Sequence, residues 1–168
     1  NLRVIPHYNP CVDKCDFIPY EERKYDYTFV GSYKTHHIRS QLSKLHNGDN
    51  IIIEDTGNWH FYKDTNSRVE FKNKYKDALL NSRVALCPPG TGVSTIRLYE
   101  AMAGGVVPVV FNSVKVPVEV EEHVIRIDSV DEIDSISLTP GALDIKSIEL
   151  HDIYWSSLSN DKLFSILI

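Results

Sequence analysis

The stretch from Arg83 to Phe111, RVALCPPGTGVSTIRLYEAMAGGVVPVVF, constrains what this chain can fold into more than any other. Its apolar run Val84-Ala85-Leu86-Cys87 reads as a buried strand, stopped by Pro88 and Pro89. Proline offers no amide hydrogen to a sheet, so a central strand cannot continue through that pair. A Gly90-Thr91-Gly92 loop follows. A helix then opens at Ser94 or Thr95, residue types whose hydroxyls suit an N-cap. The helix ends at Gly104-Gly105, and a second apolar strand runs from Val106 to Phe111. In this strand, loop, helix, strand series the first N–H groups of the helix and its positive dipole end face the loop.

Arg97 and Glu100 stand three apart near the start of that helix and share one face of it. A guanidinium there suits a phosphate, and a carboxylate one turn deeper suits a pair of sugar hydroxyls. The spacing therefore describes a cradle for a nucleoside diphosphate. It also describes an ordinary surface ion pair beside a plain glycine loop, and the pattern alone does not choose between them.

The rest of the chain alternates in the same way. Leu2 to Ile5 reads as a short strand, and residues 7 to 24, rich in Pro, Asp and Lys, as a long surface loop. Tyr25 to Val30 is a strand. Thr35 to Leu45 is a helix with Ile38, Leu42 and Leu45 on one stripe. Ile51-Ile52-Ile53 has the unbroken apolar character of a buried parallel strand. A polar and aromatic loop leads to a helix over Val69 to Asn81 with Phe71, Tyr75, Ala78 and Leu79 inward. Val124 to Ile127 is a further strand, followed by an amphipathic region from Gly141 through Leu158 and an apolar tail from Leu163 to Ile168. Such alternation predicts an α/β chain: a Rossmann-like three-layer domain with a mostly parallel sheet. Ligands of such sheets bind outside the carboxyl ends of the strands. Gly31-Ser32 and Pro88-Pro89-Gly90 both follow strands, so both are expected at that edge.

Composition narrows the functional classes. At 168 residues the chain is long enough for one domain with its own core, expected to span residues 1–168. A net charge of −5 argues against nucleic acid as a partner. No apolar run is long enough for a membrane span, and no signal peptide is visible. Cys87 is expected in the core. Cys11 and Cys15 lack the further Cys/His pair a structural zinc would need, so a loop disulfide in an oxidising compartment is the preferred reading. A dinucleotide enzyme is disfavoured because no G-x-G-x-x-G follows the first strand.

The signature segment resembles that of exostosin-type glycosyltransferases. It carries Pro89-Gly90, Thr95-Ile96-Arg97, Glu100-Ala101 and Gly105-Val106-Val107-Pro108-Val109 in the family's order. Upstream, Tyr27 to Ser32, Ile38-Arg39, Leu45 to Asp49 and Tyr75 to Ser82 resemble the elements that precede it, so the likeness runs from about Val4 onward. Thr95 stands where the family usually has Ser, which keeps the hydroxyl. The stretch after Lys115-Val116-Pro117 lacks the usual aromatic and Trp, which implies a different sugar-facing edge.

The resemblance implies the C-terminal, donor-binding half of a two-domain GT-B enzyme. Its substrate would be a nucleotide sugar, with uridine diphosphate the expected carrier, and its acceptor a saccharide or glycan. An N-terminal acceptor domain or partner subunit would complete it, without resident metal or other cofactor. The donor site would comprise Gly31, Ser32, Arg39, Gly90, Thr91, Ser94, Thr95, Arg97 and Glu100, with Glu100 on the ribose and the rest stabilising the departing phosphate. No catalytic residue is assigned. Asp55, His60 and Glu119 are loop candidates for the general base, and Trp59 and Phe61 are read as anchors of the loop around His60. His36 and His37 are expected to be solvated. The alternative is a non-catalytic module that binds a nucleotide sugar or serves in assembly and needs a second chain or domain for activity. A bacterial or viral cytoplasmic protein is the preferred setting, with the Golgi lumen expected for a eukaryotic member of the family.

Overall fold

The computed structural model describes residues 11–45, 48–58, 65–92 and 94–159. Five strands form one all-parallel sheet: β1 (Tyr25–Gly31), β2 (Ile51–Asp55), β3 (Ser82–Cys87), β4 (Val107–Phe111) and β5 (Ile125–Ile127). Helices α1 (His37–Gln41), α2 (Thr65–Leu80), α3 (Ile96–Ala103) and α4 (Ala142–Ile153) flank it, giving an α/β Rossmann-like fold. The predicted strand at Leu2–Ile5 and the apolar tail lie outside the described residues.

Strand order is β2-β1-β3-β4-β5. β1 pairs with β2 on one side (Tyr27 opposite Ile51) and with β3 on the other (Tyr27 opposite Val84). The chain thus leaves β1 toward one edge, crosses back to β3, and continues toward the other edge. Where the winding reverses, the connections leaving the two neighbouring strands diverge and open a crevice at their carboxyl ends. That crevice lies between β1 and β3. Behind it, Val84, Leu86 and Cys87 of β3 and Val107, Val109 and Val110 of β4 are fully buried, as strands covered on both faces require.

The glycine pair after α3 ends the helix by a Schellman arrangement. Gly105 N–H donates to the Met102 carbonyl at 2.9 Å and Val106 N–H to the Ala101 carbonyl at 2.8 Å. Gly105 has φ of +64°, and a Cβ there would lie 2.5 Å from the Phe17 ring. Only glycine satisfies both constraints.

Two expectations need correction. The helix predicted over Thr35–Leu45 is broken into a 3-10 turn at Tyr33–Thr35, α1, and another 3-10 turn at Leu42–Lys44. His36 is extended and its Nδ1 accepts the Ile38 N–H at 3.2 Å, so it caps α1. Ser40 and Ser43 hydroxyls both bond back to carbonyls three residues earlier, which competes with helical pairing. The segment before β1 is not a surface loop either. Val12, Tyr20 and Arg23 are buried, and the Arg23 guanidinium donates to the carbonyls of Ile18, Ser82 and Gly104. Polarity in the sequence concealed a segment whose one buried cation is satisfied by backbone oxygens.

Candidate functional site

The cavity at the β1/β3 crevice has a volume of about 520 Å³. All of the residues assigned to a donor site from the sequence line it except Ser32. Ser32 instead accepts the Lys34 N–H at 3.2 Å and caps the turn after β1. The lining also includes Cys11, Thr35 and Thr56, with Arg68, Phe71, Lys72 and Tyr75 from α2.

Arg97, in the first turn of α3, reaches across to the end of β1, where it donates to the Val30 carbonyl. Its guanidinium lies 4.6 Å from the centre of the Phe29 ring and 6.0 Å from that of Tyr75. Gly31 makes this possible, because a Cβ there would lie 2.6 Å from an Arg97 terminal nitrogen. Arg97 Nε is buried without a hydrogen-bond partner. Arg39, from α1, donates from Nε to the Pro89 carbonyl at 2.8 Å and places its guanidinium 5.7 Å from the same Phe29 ring. Burial, and then repulsion from Arg97, hold the Arg39 pKa down to about 10. The guanidinium still remains charged at neutral pH. Two cations drawn to one ring form a seat that an anion would stabilise.

The start of α3 adds to that field. Thr95 occupies the N-cap position in extended conformation and is buried, but its hydroxyl makes no capping hydrogen bond. The side chain thus leaves the first-turn N–H groups to other acceptors. One turn deeper, Glu100 is only 5% exposed. That burial removes the reading of Arg97 and Glu100 as an exposed surface pair. Glu100 Oε2 accepts the Tyr75 hydroxyl at 2.5 Å, and burial, reinforced by the Glu100 charge, pushes the Cys11 thiol up to about 12.

Neither described candidate for a general base faces the cavity. Asp55 Oδ1 accepts the N–H groups of Tyr33 at 2.9 Å and Gly57 at 2.8 Å, so it is engaged in shaping the loops after β1 and β2. Glu119 is exposed in the 3-10 segment Val118–His123, outside the lining. His60, with Trp59 and Phe61, lies outside the described residues. All three cysteines are free: Cys11 is buried against Glu100 while Cys15 is exposed, so the loop disulfide is not formed. Among the described residues no helix is long and apolar enough to cross a membrane.

Sequence reasoning missed Phe29, Tyr75 and Cys11 as parts of the site. Arg68, Phe71, Lys72 and Tyr75 recur at helical spacing on one face of α2, and that stripe was legible. Its apolar members were read as core because nothing local shows that the stripe borders a crevice.

Comparison with known proteins shows the family. The model of the RXYLT1 C-terminal domain family matches residues 7–125. Ribitol-5-phosphate xylosyltransferase 1 of Homo sapiens is 30% identical over 104 residues, covering 60% of this chain and 23% of that protein. The Mus musculus protein of the same name is 30% identical over 105 residues, with the same coverage. The chain therefore spans about a quarter of the length of these curated relatives.

Proposed function

The chain belongs to the RXYLT1 C-terminal domain family, and from that premise we propose that it is the donor-binding domain of a glycosyltransferase. Its relatives are glycosyltransferases by name, and that is the level at which family membership and the exostosin-like signature agree. The finer reading is a GT-B half spanning residues 1–168 that holds a nucleoside-diphosphate sugar, uridine diphosphate first among carriers. The sugar passes to a saccharide acceptor, and a further domain or subunit completes the active site. Helix dipole and arginines take the part a metal would otherwise play at the leaving phosphate. Because the relatives are mammalian, the Golgi lumen is favoured over a bacterial or viral cytoplasm.

One observation carries this reading: Arg39 and Arg97 converge over Phe29 beside the start of α3, at the sheet's switch point. A departing diphosphate develops charge where the two guanidiniums and the first-turn N–H groups already point, with no reorganisation during the reaction. The engagement of Asp55 and the position of Glu119 outside the cavity favour a base supplied from elsewhere. They also support the second reading, that this domain alone binds a nucleotide sugar without transferring it.

Thermal denaturation with nucleoside diphosphates tests the proposal. A ligand that binds only the native state stabilises it by RT ln(1 + [L]/Kd), about 2.7 kcal/mol at a hundred times Kd. Uridine diphosphate should raise the transition, with guanosine diphosphate as the comparison base. No shift from either at millimolar concentration would remove the donor-site reading.

A further inference from the structure

Phe29 is fully buried in the interior strand β1, paired in register with Ile53 of β2. Its ring stacks on Tyr33, with centres 6.0 Å apart and 22° between the planes. Strand pairing fixes the backbone of Phe29 and the stack braces its ring. The Arg97 guanidinium lies 4.6 Å from the ring centre and that of Arg39 5.7 Å from it. An aromatic face attracts a cation through its quadrupole and does not cancel the charge. The ring therefore draws the two arginines together without neutralising either.

Two glycines complete the arrangement. Phe29 and Gly31 are two apart on β1 and so face the same side of the sheet. A Cβ on Gly31 would lie 2.6 Å from an Arg97 terminal nitrogen and 3.1 Å from the Phe29 ring. A Cβ on Gly90 would lie 3.1 Å from an Arg39 terminal nitrogen. Neither glycine has a positive φ. These positions therefore use the missing side chain, which leaves each guanidinium its place, rather than any freedom of the backbone.

We propose that Phe29 is a positioning residue which, with Gly31 and Gly90 as spacers, holds the Arg39 and Arg97 guanidiniums at one fixed separation, so that the seat selects a diphosphate over a single phosphate. This rests on the reading of the cavity as a nucleoside-diphosphate site. Two linked phosphoryl groups can meet both cations at once without displacing either, and a seat set in advance spends no binding energy on ordering them.

Calorimetry on the full chain with inorganic pyrophosphate and orthophosphate tests this. The unaltered protein should prefer pyrophosphate by about tenfold or more, the worth of one further charge-assisted contact. Phe29→Leu keeps an apolar side chain in the core but removes the quadrupole. It should cut the preference to about threefold or less while changing orthophosphate affinity no more than about twofold. Gly90→Ala crowds Arg39 alone and should narrow the preference in the same way. That loop variant carries the test if Phe29→Leu does not fold. In an Arg97→Ala background the loss of pyrophosphate affinity caused by Phe29→Leu should be at least about threefold smaller, because the ring acts through the guanidiniums. A preference that survives both variants overturns the proposal, as do additive losses in that cycle or equal losses for the two anions, which mark a purely structural role. If the unaltered protein binds the two anions equally, or neither, while uridine diphosphate still raises the melting transition, the proposal fails and the donor-site reading stands. Failure of all three ligands takes that reading with it.

Discussion

Arg97 and Arg39 reach the same phenyl ring from different helices, and that convergence costs the free protein something. The Arg39 guanidinium is partly desolvated and its charge is opposed by Arg97, whose Nε is buried without a hydrogen-bond partner. The ring of Phe29 offsets part of this by cation–π attraction, of order 0.5–2 kcal/mol per contact. Carbonyls of Val30 and Pro89 take part of the donor capacity. On the donor-site reading, a bound diphosphate would supply more of the compensation. Arg97→Ala should therefore weaken pyrophosphate and uridine diphosphate alike, by about 1.5–3 kcal/mol, the worth of a charge-assisted contact. Stability should change far less, because the variant also relieves Arg39 of its like-charged neighbour. Calorimetry set beside a thermal melt separates the two effects. Unchanged affinity with a lowered melting temperature would assign Arg97 to structure alone.

At the level of elements, β3, its loop and α3 were the most legible part of the chain. Pro88 and Pro89 end the strand, Thr95 marks the helix start and the glycine pair marks its end. Each signal is local, so each survives without knowledge of the fold. Elements governed by tertiary contacts were less legible. α1 was read too long because its serines favour side-chain bonds over helix continuation. The segment before β1 was read as solvated because the satisfaction of Arg23 by distant carbonyls leaves no trace in local sequence. The site shows the same division. Residues of the signature loop and helix that line the cavity were proposed from their spacing together with the family resemblance, whereas nothing local tied Tyr75 or Cys11 to the crevice. The helix terminus offers a direct check. Gly105→Ala places a Cβ at positive φ and against Phe17, which should lower stability by roughly 1–3 kcal/mol. Chemical denaturation would show it as a lowered midpoint with an unchanged slope. An unaltered midpoint would mean that the left-handed turn is not obligatory.

Across the whole molecule, the candidate site and the strongest structural staple lie at opposite ends of the β3–α3 unit. The site gathers at the end of β3 and the start of α3. Arg23 gathers the start of β3 through Ser82, the end of α3 through Gly104, and α4 through Ser147, while also holding Ile18. It is 2% exposed, and burial lowers its pKa to about 10, so it stays charged at neutral pH with carbonyls as its main acceptors. Such a cation is tolerated because backbone oxygens from several separate elements accept from it. Arg23→Met keeps much of the apolar stem but removes every donor. Each abandoned buried acceptor costs about 1–3 kcal/mol, so the total loss should reach at least about 3 kcal/mol. A chain of this size would then melt roughly 6–12 °C lower, at about 2–4 °C per kcal/mol. Because the staple touches none of the cavity's cations, pyrophosphate affinity measured well below the new transition should be unchanged. Coupled losses of stability and affinity would show that the two ends of the β3–α3 unit are not independent, and that the arginine seat depends on how the far end is anchored.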